Sequence, residues 1–428
     1  MKLEYKKVIL TGFAFFIILA FWQAYDNVIP LLLVNKFNLN QTWSGVVMAL
    51  DNVFAVFMLP IFGALSDKTT SKYGRRTPFI VIGTILAVLT FVFLPIIDSL
   101  WLFIIVLLLA LVSMSIFRSP AVALMPDVTC KPHRSKANAV INLMGTAGGI
   151  IVLGLGIVFK TSEAGKIDFF WFIVAVSVVM LIGLIVFILT VKETKWATEM
   201  QLNTEKYFPD QEVEQREKQS NAKLSRGQFK SLMFILASVI LWYMGYNAVT
   251  SKFSLYASNV LKQDYNSTML IAQGAAIISY IPVGIIASKV GRKNSIIAGV
   301  IMLFTAFLFA IFVKPDTTPL VMYALFALAG IGWATINVNS YPMVVELAKN
   351  SDTGKYTGYY YTASMSAQIL TPVLSGLIMD LVGDMSPLFV YASVCVGLAL
   401  ITTLFIKHGD SKPQAPKNKL EMLAGSDD

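Results

Sequence analysis

Apolar stretches long enough to cross a membrane recur along the whole chain, separated by short polar connections. Hydropathy and breakers place twelve of them near 8–33, 44–66, 79–97, 101–125, 137–159, 169–191, 230–257, 268–288, 295–313, 319–345, 357–379 and 386–406. A helix needs about 20 residues to cross a hydrocarbon core roughly 30 Å thick. The pattern therefore predicts an all-α polytopic membrane protein with twelve transmembrane helices. The opening segment, Met1 to Lys7 followed by an apolar run, resembles a signal peptide. It lacks a small-residue cleavage site and is of spanning length, so it is read as the first helix.

Composition agrees with this pattern. Of the 428 residues 56% are hydrophobic and 14% are charged, against about 25% charged in ordinary soluble domains. Mean hydropathy is +0.68. A soluble enzyme, a secreted disulfide scaffold and a nucleic-acid-binding domain are excluded. Cys130 and Cys395 have no neighbours at metal or redox spacing.

The net charge of +9 is explained by the connections. If both termini are cytoplasmic, the inner tails and loops hold 27 of the 34 lysines and arginines. The outer connections hold six: Lys36, Lys160, Lys166, Lys252, Lys262 and Lys314. Without the long central loop the ratio is still 19 to 6, the asymmetry of the positive-inside rule.

One long polar segment interrupts the series. The expected organisation is an amino-terminal six-helix bundle (1–191), a partly helical cytoplasmic linker (192–229), a second six-helix bundle (230–406) and a cytoplasmic tail (407–428). The halves echo one another. Gly63-Ala-Leu-Ser-Asp67 and Gly74-Arg75-Arg76 after span 2 correspond to Gly284-Ile-Ile-Ala-Ser288 and Gly291-Arg292-Lys293 after span 8. Asp127 and its basic loop correspond to Glu346, followed by Lys349 and Lys355. Two parallel six-helix pseudo-repeats place a substrate site between the halves near the midplane.

The Gly-x-x-x-Asp…Gly-Arg-Arg signature is similar to that of the major facilitator superfamily. The run GALSDKTTSKYGRRTPFI from Gly63 to Ile80 resembles the glycoside-pentoside-hexuronide cation symporters, and more closely their sucrose-transporter-like branch. WQAYDNVIPL from Trp22 to Leu31, Asp51-Asn52, and RSPAVALMPDV from Arg118 to Val128 resemble that branch as well. In the second half the resemblance is generic, and Ser288 stands where Asp is expected. The resemblance implies a sugar or glycoside carried with a cation by alternating access, most often a proton in this branch, with sodium as the other candidate. No further cofactor is implied, and one chain per functional unit is the default for the fold.

Asp26 and Asp51 are the carboxylates inside the expected spans, each about seven residues, or roughly 10 Å, beneath the outer surface. A carboxylate in that setting can load and release a proton, and either could carry the coupling ion. Trp22, Gln23, Asp26 and Asn27 recur at helical spacing, an aromatic platform beside hydrogen-bonding groups that suits a sugar. Arg118 is the one intramembrane arginine, about eight residues before the end of its span, and Asn142 falls at comparable depth. An unpaired arginine there costs several kcal/mol, so it needs a carboxylate, a carbonyl or a substrate hydroxyl. In the second half Tyr243, Asn247 and Asn337 are the substrate-binding candidates, with Trp242, Tyr246 and Trp333 adjoining. Asp67, Arg75, Arg76, Asp127, Arg134 and Glu346 flank the cytoplasmic ends and form the expected gate. The glycines between Gly145 and Gly156 read as helix packing rather than a phosphate cradle.

The leading expectation is a sugar–cation symporter in a bacterial inner membrane, partnered by lipid and a small sugar and binding no nucleic acid. The alternatives are a proton-coupled exporter or antiporter of small molecules and a non-transporting sensor. The linker and tail are short and polar for a signalling domain. No nucleophile–base or metal set converges, so enzyme activity is not expected.

Overall fold

A computed structural model describes residues 4–130, 133–207, 225–345 and 353–408. These are almost wholly helical, with no strand among them. That is the expected outcome in lipid, where every backbone N–H and C=O must be satisfied inside its own segment.

The first half comprises α1 (Tyr5–Thr11), α2 (Phe13–Leu31), α3 (Gln41–Lys68), α4 (Thr77–Phe93), α5 (Leu100–Val128), α6 (Arg134–Val158) and α7 (Phe170–Thr190). A short helix, α8 (Glu193–Tyr207), follows in the linker. The second half comprises α9 (Arg226–Leu255), α10 (Tyr265–Val290), α11 (Arg292–Ala310), α12 (Pro319–Val345), α13 (Thr353–Val382) and α14 (Pro387–Leu404).

Eleven segments of the described residues are long and apolar enough to cross a membrane. The twelfth expected crossing, 268–288, is the 26-residue helix α10, which is not among those eleven. The stretch from Met269 to Ile286 is apolar and of spanning length in sequence, so α10 remains the expected twelfth crossing. Side-chain distribution is that of a membrane protein. Helix α4 buries Ile80, Gly83, Thr84, Ala87 and Phe91 and exposes Ile82, Ile85, Leu89 and Phe93. The small and polar residues Gly83, Thr84 and Ala87 face the bundle together with Ile80 and Phe91, and the outward face is wholly apolar at Ile82, Ile85, Leu89 and Phe93.

The chain divides into two compact units. The first contains Met1–Leu39 and Leu50–Gln211, the second Asn40–Ala49 and Glu212–Asp428. Within the first, α2 packs on α6 and α7, and α4 on α5 and α7. Within the second, α9 packs on α13 and α14, and α11 on α12 and α14. The pairing is the same in both, as expected of a structural repeat. Glycines of α6 serve packing: a Cβ on Gly148 would meet Phe16 O at 2.3 Å.

Two helix ends lie beyond their expected positions. Helix α2 continues as a π-helical turn to Lys36, and α3 begins at Gln41.

Candidate functional site

Asp26 lies ten residues before Lys36, Asp51 ten residues after Gln41, and Arg118 ten residues before Val128. At 1.5 Å per residue each is about 15 Å along the helix axis from that end. Their side chains, from α2, α3 and α5, come close enough for their charges to interact.

In the first unit the Asp26 and Asp51 charges act on each other, and Arg118 acts on both. All three side chains are half-buried, not sealed. The Arg118 guanidinium sits 5.6 Å from the Trp22 ring centroid, a cation–π distance. Among the described residues it makes no hydrogen bond and no ion pair within 4 Å, so Asn142 is not its partner. Asn142 instead contributes its carbonyl to Thr146 Oγ1 at 3.0 Å. Asp51 Oδ1 accepts from Asn52 N and Nδ2 at 2.5 and 2.6 Å.

Around this trio several buried polar atoms have no hydrogen-bond partner among the described residues: Trp22 Nε1, Tyr25 Oη and Asn27 Oδ1. Gln23 is half-buried on the same helix. Trp22 packs edge-on against Tyr25, with ring centroids 5.3 Å apart. A buried polar atom left unpaired costs about 1–3 kcal/mol. Unused donors and acceptors beside an aromatic ring are what a polyhydroxylated ligand would satisfy.

The second unit carries its own aromatic cluster. Tyr246 and Trp333 stack with centroids 3.7 Å apart and planes 3° apart, and Tyr243 meets Trp333 edge-on at 5.1 Å. Tyr243, Tyr246 and Trp333 are half-buried. Trp242, which adjoins these candidates in sequence, is core at 1% exposed. Asn247 is half-buried with Nδ2 unpartnered, and Asn337 is buried on α12.

At the opposite end of α3 the basic motif forms a closed network. Arg76, 4% exposed, binds Asp67 through Nη2 and donates from Nε to Asp127 Oδ2 at 2.8 Å. Its Nη1 donates to Ser66 Oγ at 2.5 Å. Arg75 forks onto Asp127, with Nε at 3.1 Å and Nη2 at 2.6 Å.

Glu193 of α8, which no sequence motif marks, completes the cluster. Its carboxylate accepts from the backbone N–H of Arg75, Arg76 and Thr77 and from Thr77 Oγ1, all at 2.8–2.9 Å. Those amides are the unsatisfied N-terminal donors of α4, where a carboxylate is favoured. Gly74 is required beside it. Its φ is +112°, and a Cβ there would lie 2.2 Å from the Glu193 carboxylate. No spacing rule could have revealed Glu193, because its partners lie more than a hundred residues away.

One expected gate residue falls elsewhere. Arg134 donates to Pro126 O at 2.9 Å and Thr129 O at 3.2 Å. It caps the carboxyl end of α5 instead of joining the carboxylates, because α6 starts only a few residues beyond that end. Glu346 lies outside the described residues. Helix α8 is also tied down by Lys7 Nζ, which donates to Glu199 Oε2 at 2.5 Å. That bond holds the Glu199 carboxyl below its usual range.

The model of the Major Facilitator Superfamily matches residues 11–372 and 268–425. Sucrose transport protein SUC4 of Arabidopsis thaliana is 38% identical over 52 residues, 12% of this chain and 10% of that protein. The chain thus spans about a tenth of that relative's length. Among solved structures, the E. coli xylose transporter XylE superposes with TM-score 0.67 at 13% identity, covering 98% of this chain and 99% of that one. The nucleoside transporter NupG gives 0.67 at 15% identity, covering 94% and 100%. A peptide transporter, POT, gives 0.69 at 12%, covering 94% and 93%. At these identities the structures establish the fold.

Proposed function

The chain belongs to the Major Facilitator Superfamily, a transporter and not an enzyme, and on that premise we propose that it carries a sugar or glycoside together with a cation, most simply a proton, by alternating access. The carrying observation is the intramembrane trio Asp26, Asp51 and Arg118, with Arg118 set over the Trp22 ring, beside Trp22 Nε1, Tyr25 Oη and Asn27 Oδ1, which have no hydrogen-bond partner among the described residues. C–H faces of a sugar pack on an aromatic ring, and its hydroxyls take up the spare donors and acceptors.

Coupling follows from charge balance. Two carboxylates facing one arginine leave one negative charge in the span. A proton or sodium ion on Asp26 or Asp51 neutralises it, and Arg118 is then free to turn to a substrate hydroxyl. Gln23 and Asn142 line the same unit, and Tyr243, Asn247 and Asn337 supply the second unit's contacts. The short similarity to a sucrose transport protein supports the saccharide class. In this reading the Asp67–Arg76–Asp127 cluster, with Glu193, is the cytoplasmic gate. Both termini are cytoplasmic, and the protein works as a monomer in a bacterial inner membrane.

The test is sugar-induced pH change in de-energised, weakly buffered cells expressing the protein. The panel runs from sucrose, maltose and other glucosides to monosaccharides, with and without sodium. External alkalinisation with one sugar supports proton symport and identifies the substrate. Uptake of none of them, with no alkalinisation, overturns the sugar reading and favours export of another small molecule.

A further inference from the structure

Within the first unit, α4 and α5 meet backbone to backbone at Gly83, where a Cβ would lie 2.9 Å from both Phe117 N and Ser113 O. Toward the other end of α4, away from Arg76, the pair opens. Pro95, which has no N–H with which to extend α4, sits in a single 3-10 turn, Leu94–Ile96, and Ile97 is extended before α5 begins at Leu100. Between the helices lies a groove of about 500 Å³. That is within the roughly 300–1,000 Å³ of sites that hold one small molecule. Leu89, Phe93, Ile96, Leu102 and Leu109 line it, each about half exposed. From Leu102 to Leu109 it follows about 10 Å of α5 at 1.5 Å per residue. Of its lining residues only Thr90 and Asp98 are polar. The Thr90 hydroxyl is engaged within α4, 2.8 Å from Leu86 O and 3.0 Å from Ala87 O, so the walls offer an occupant apolar contact alone.

One ion pair stands at the mouth. Lys36 Nζ lies 2.9 Å from Asp98 Oδ1 and donates to Pro95 O at 2.7 Å. The Lys36 side chain is 14% exposed and that of Asp98 is 92% exposed. The positive member is turned inward and satisfied, and the negative member is presented. Trp101, also exposed, adjoins them in sequence. Tryptophan collects at the membrane–water interface, which puts this mouth at headgroup depth.

We propose that the groove holds one phospholipid whose headgroup ends in a primary ammonium, its chain along Leu89, Phe93, Leu102 and Leu109 and its ammonium on Asp98, in the leaflet opposite the Arg76 cluster. The chemistry of the mouth selects this occupant. A primary ammonium brings three N–H donors to the carboxylate, whereas a trimethylammonium brings none. An anionic headgroup meets the like charge of Asp98. A net-neutral zwitterion suits a mouth that is itself a neutral pair. A second copy of this chain would take the Asp98 carboxylate out of water, where a lipid headgroup leaves it hydrated. The inference rests on the membrane placement of α4 and α5 and not on the sugar reading.

The experiment equilibrates the full-length protein, purified in a mild detergent, with an equimolar mixture of dioleoyl phosphatidylethanolamine, phosphatidylcholine and phosphatidylglycerol. Retained lipids are counted by native mass spectrometry. Phosphatidylethanolamine is expected to exceed phosphatidylcholine roughly threefold, the scale of an exposed charge pair, with phosphatidylglycerol lowest. Asp98→Asn should erase that excess, and Asp98→Lys should reverse the order in favour of phosphatidylglycerol. Leu102→Trp, at an exposed position, fills the groove and should abolish the excess without altering a charge.

Equal retention of the three lipids by the parent overturns the proposal. So does an excess that survives Asp98→Asn or Leu102→Trp. A dimer that Leu102→Trp dissociates gives the groove to a second copy and overturns it as well. Asp98→Ser replaces an Asp98→Asn that fails to fold. No sugar enters the measurement, so its result is independent of whether the sugar panel succeeds.

Discussion

Replacing Glu193 by alanine removes the one carboxylate that serves four donors at the start of α4. Each charge-assisted bond contributes roughly 1.5–3 kcal/mol net, and the four share one group, so they are not additive. Glu193 is 3% exposed. Its removal leaves α4 amides poorly solvated beside the buried Arg76, for a loss of about 3–5 kcal/mol. At 1.4 kcal/mol per tenfold, even the lower figure shifts the folded-to-unfolded ratio by roughly a hundredfold. Glu193→Gln keeps a carbonyl acceptor and loses the charge, for about 1–2 kcal/mol, and Thr77→Val removes only a hydroxyl donor, for about 1 kcal/mol. Cys130 and Cys395 are both buried and in no disulfide, so a thiol-reactive fluorophore reports unfolding of detergent-purified protein during a thermal ramp. The expected order of destabilisation is Glu193→Ala, then Glu193→Gln, then Thr77→Val. A Glu193→Ala protein melting with the parent, or a Thr77→Val protein losing as much as Glu193→Ala, would refute the capping argument.

Other perturbations follow from the same geometry. Asp26→Asn or Asp51→Asn should abolish active sugar accumulation while leaving exchange partly intact; normal accumulation by both variants in whole-cell uptake would remove the coupling assignment. Arg118→Lys keeps the charge but loses the planar group over Trp22; binding measured by substrate protection should weaken about tenfold or more, comparably to Trp22→Ala. Gly74→Ala combines an unfavourable φ of +112° with a 2.2 Å approach to Glu193, so the same thermal assay should show a loss of about 1–3 kcal/mol. The Glu199 carboxyl is held low by the Lys7 ammonium, so its contribution to docking α8 is complete above the ordinary carboxylate range and fades as pH falls through the lowered value. Protection factors across 193–207, corrected for the intrinsic pH dependence of exchange, should therefore fall on acidification, and Lys7→Met should give the low protection already at neutral pH.

Charges inside apolar spans were the legible part of the site. Asp26, Asp51 and Arg118 stand out because nothing else ionisable interrupts their helices, and the structure brings them together. The ends of their helices were not legible. A π-helical turn carries α2 to Lys36, and the Asp380 carboxylate caps the start of α3 at Gln41. The Gly-Arg-Arg motif pointed to Asp67 and Asp127, which are near in sequence or at the end of a neighbouring span. Arg134 has the same charge and location, yet it caps α5 through the carbonyls of Pro126 and Thr129.

Hydropathy is a property of each residue against a uniform solvent, and it accumulates along the chain. The membrane class, the helical architecture and the identity of the residues that need a reason to be charged can therefore be read without coordinates. Partnership has no such local signature. Whether Arg118 faces Trp22 or Asn142, whether Glu193 floats in a linker or caps α4, and which helix holds the tip of α3 all depend on which segments pack side by side. That packing is set by small residues such as Gly45, Gly74 and Gly376, whose role is visible only beside the atoms they admit.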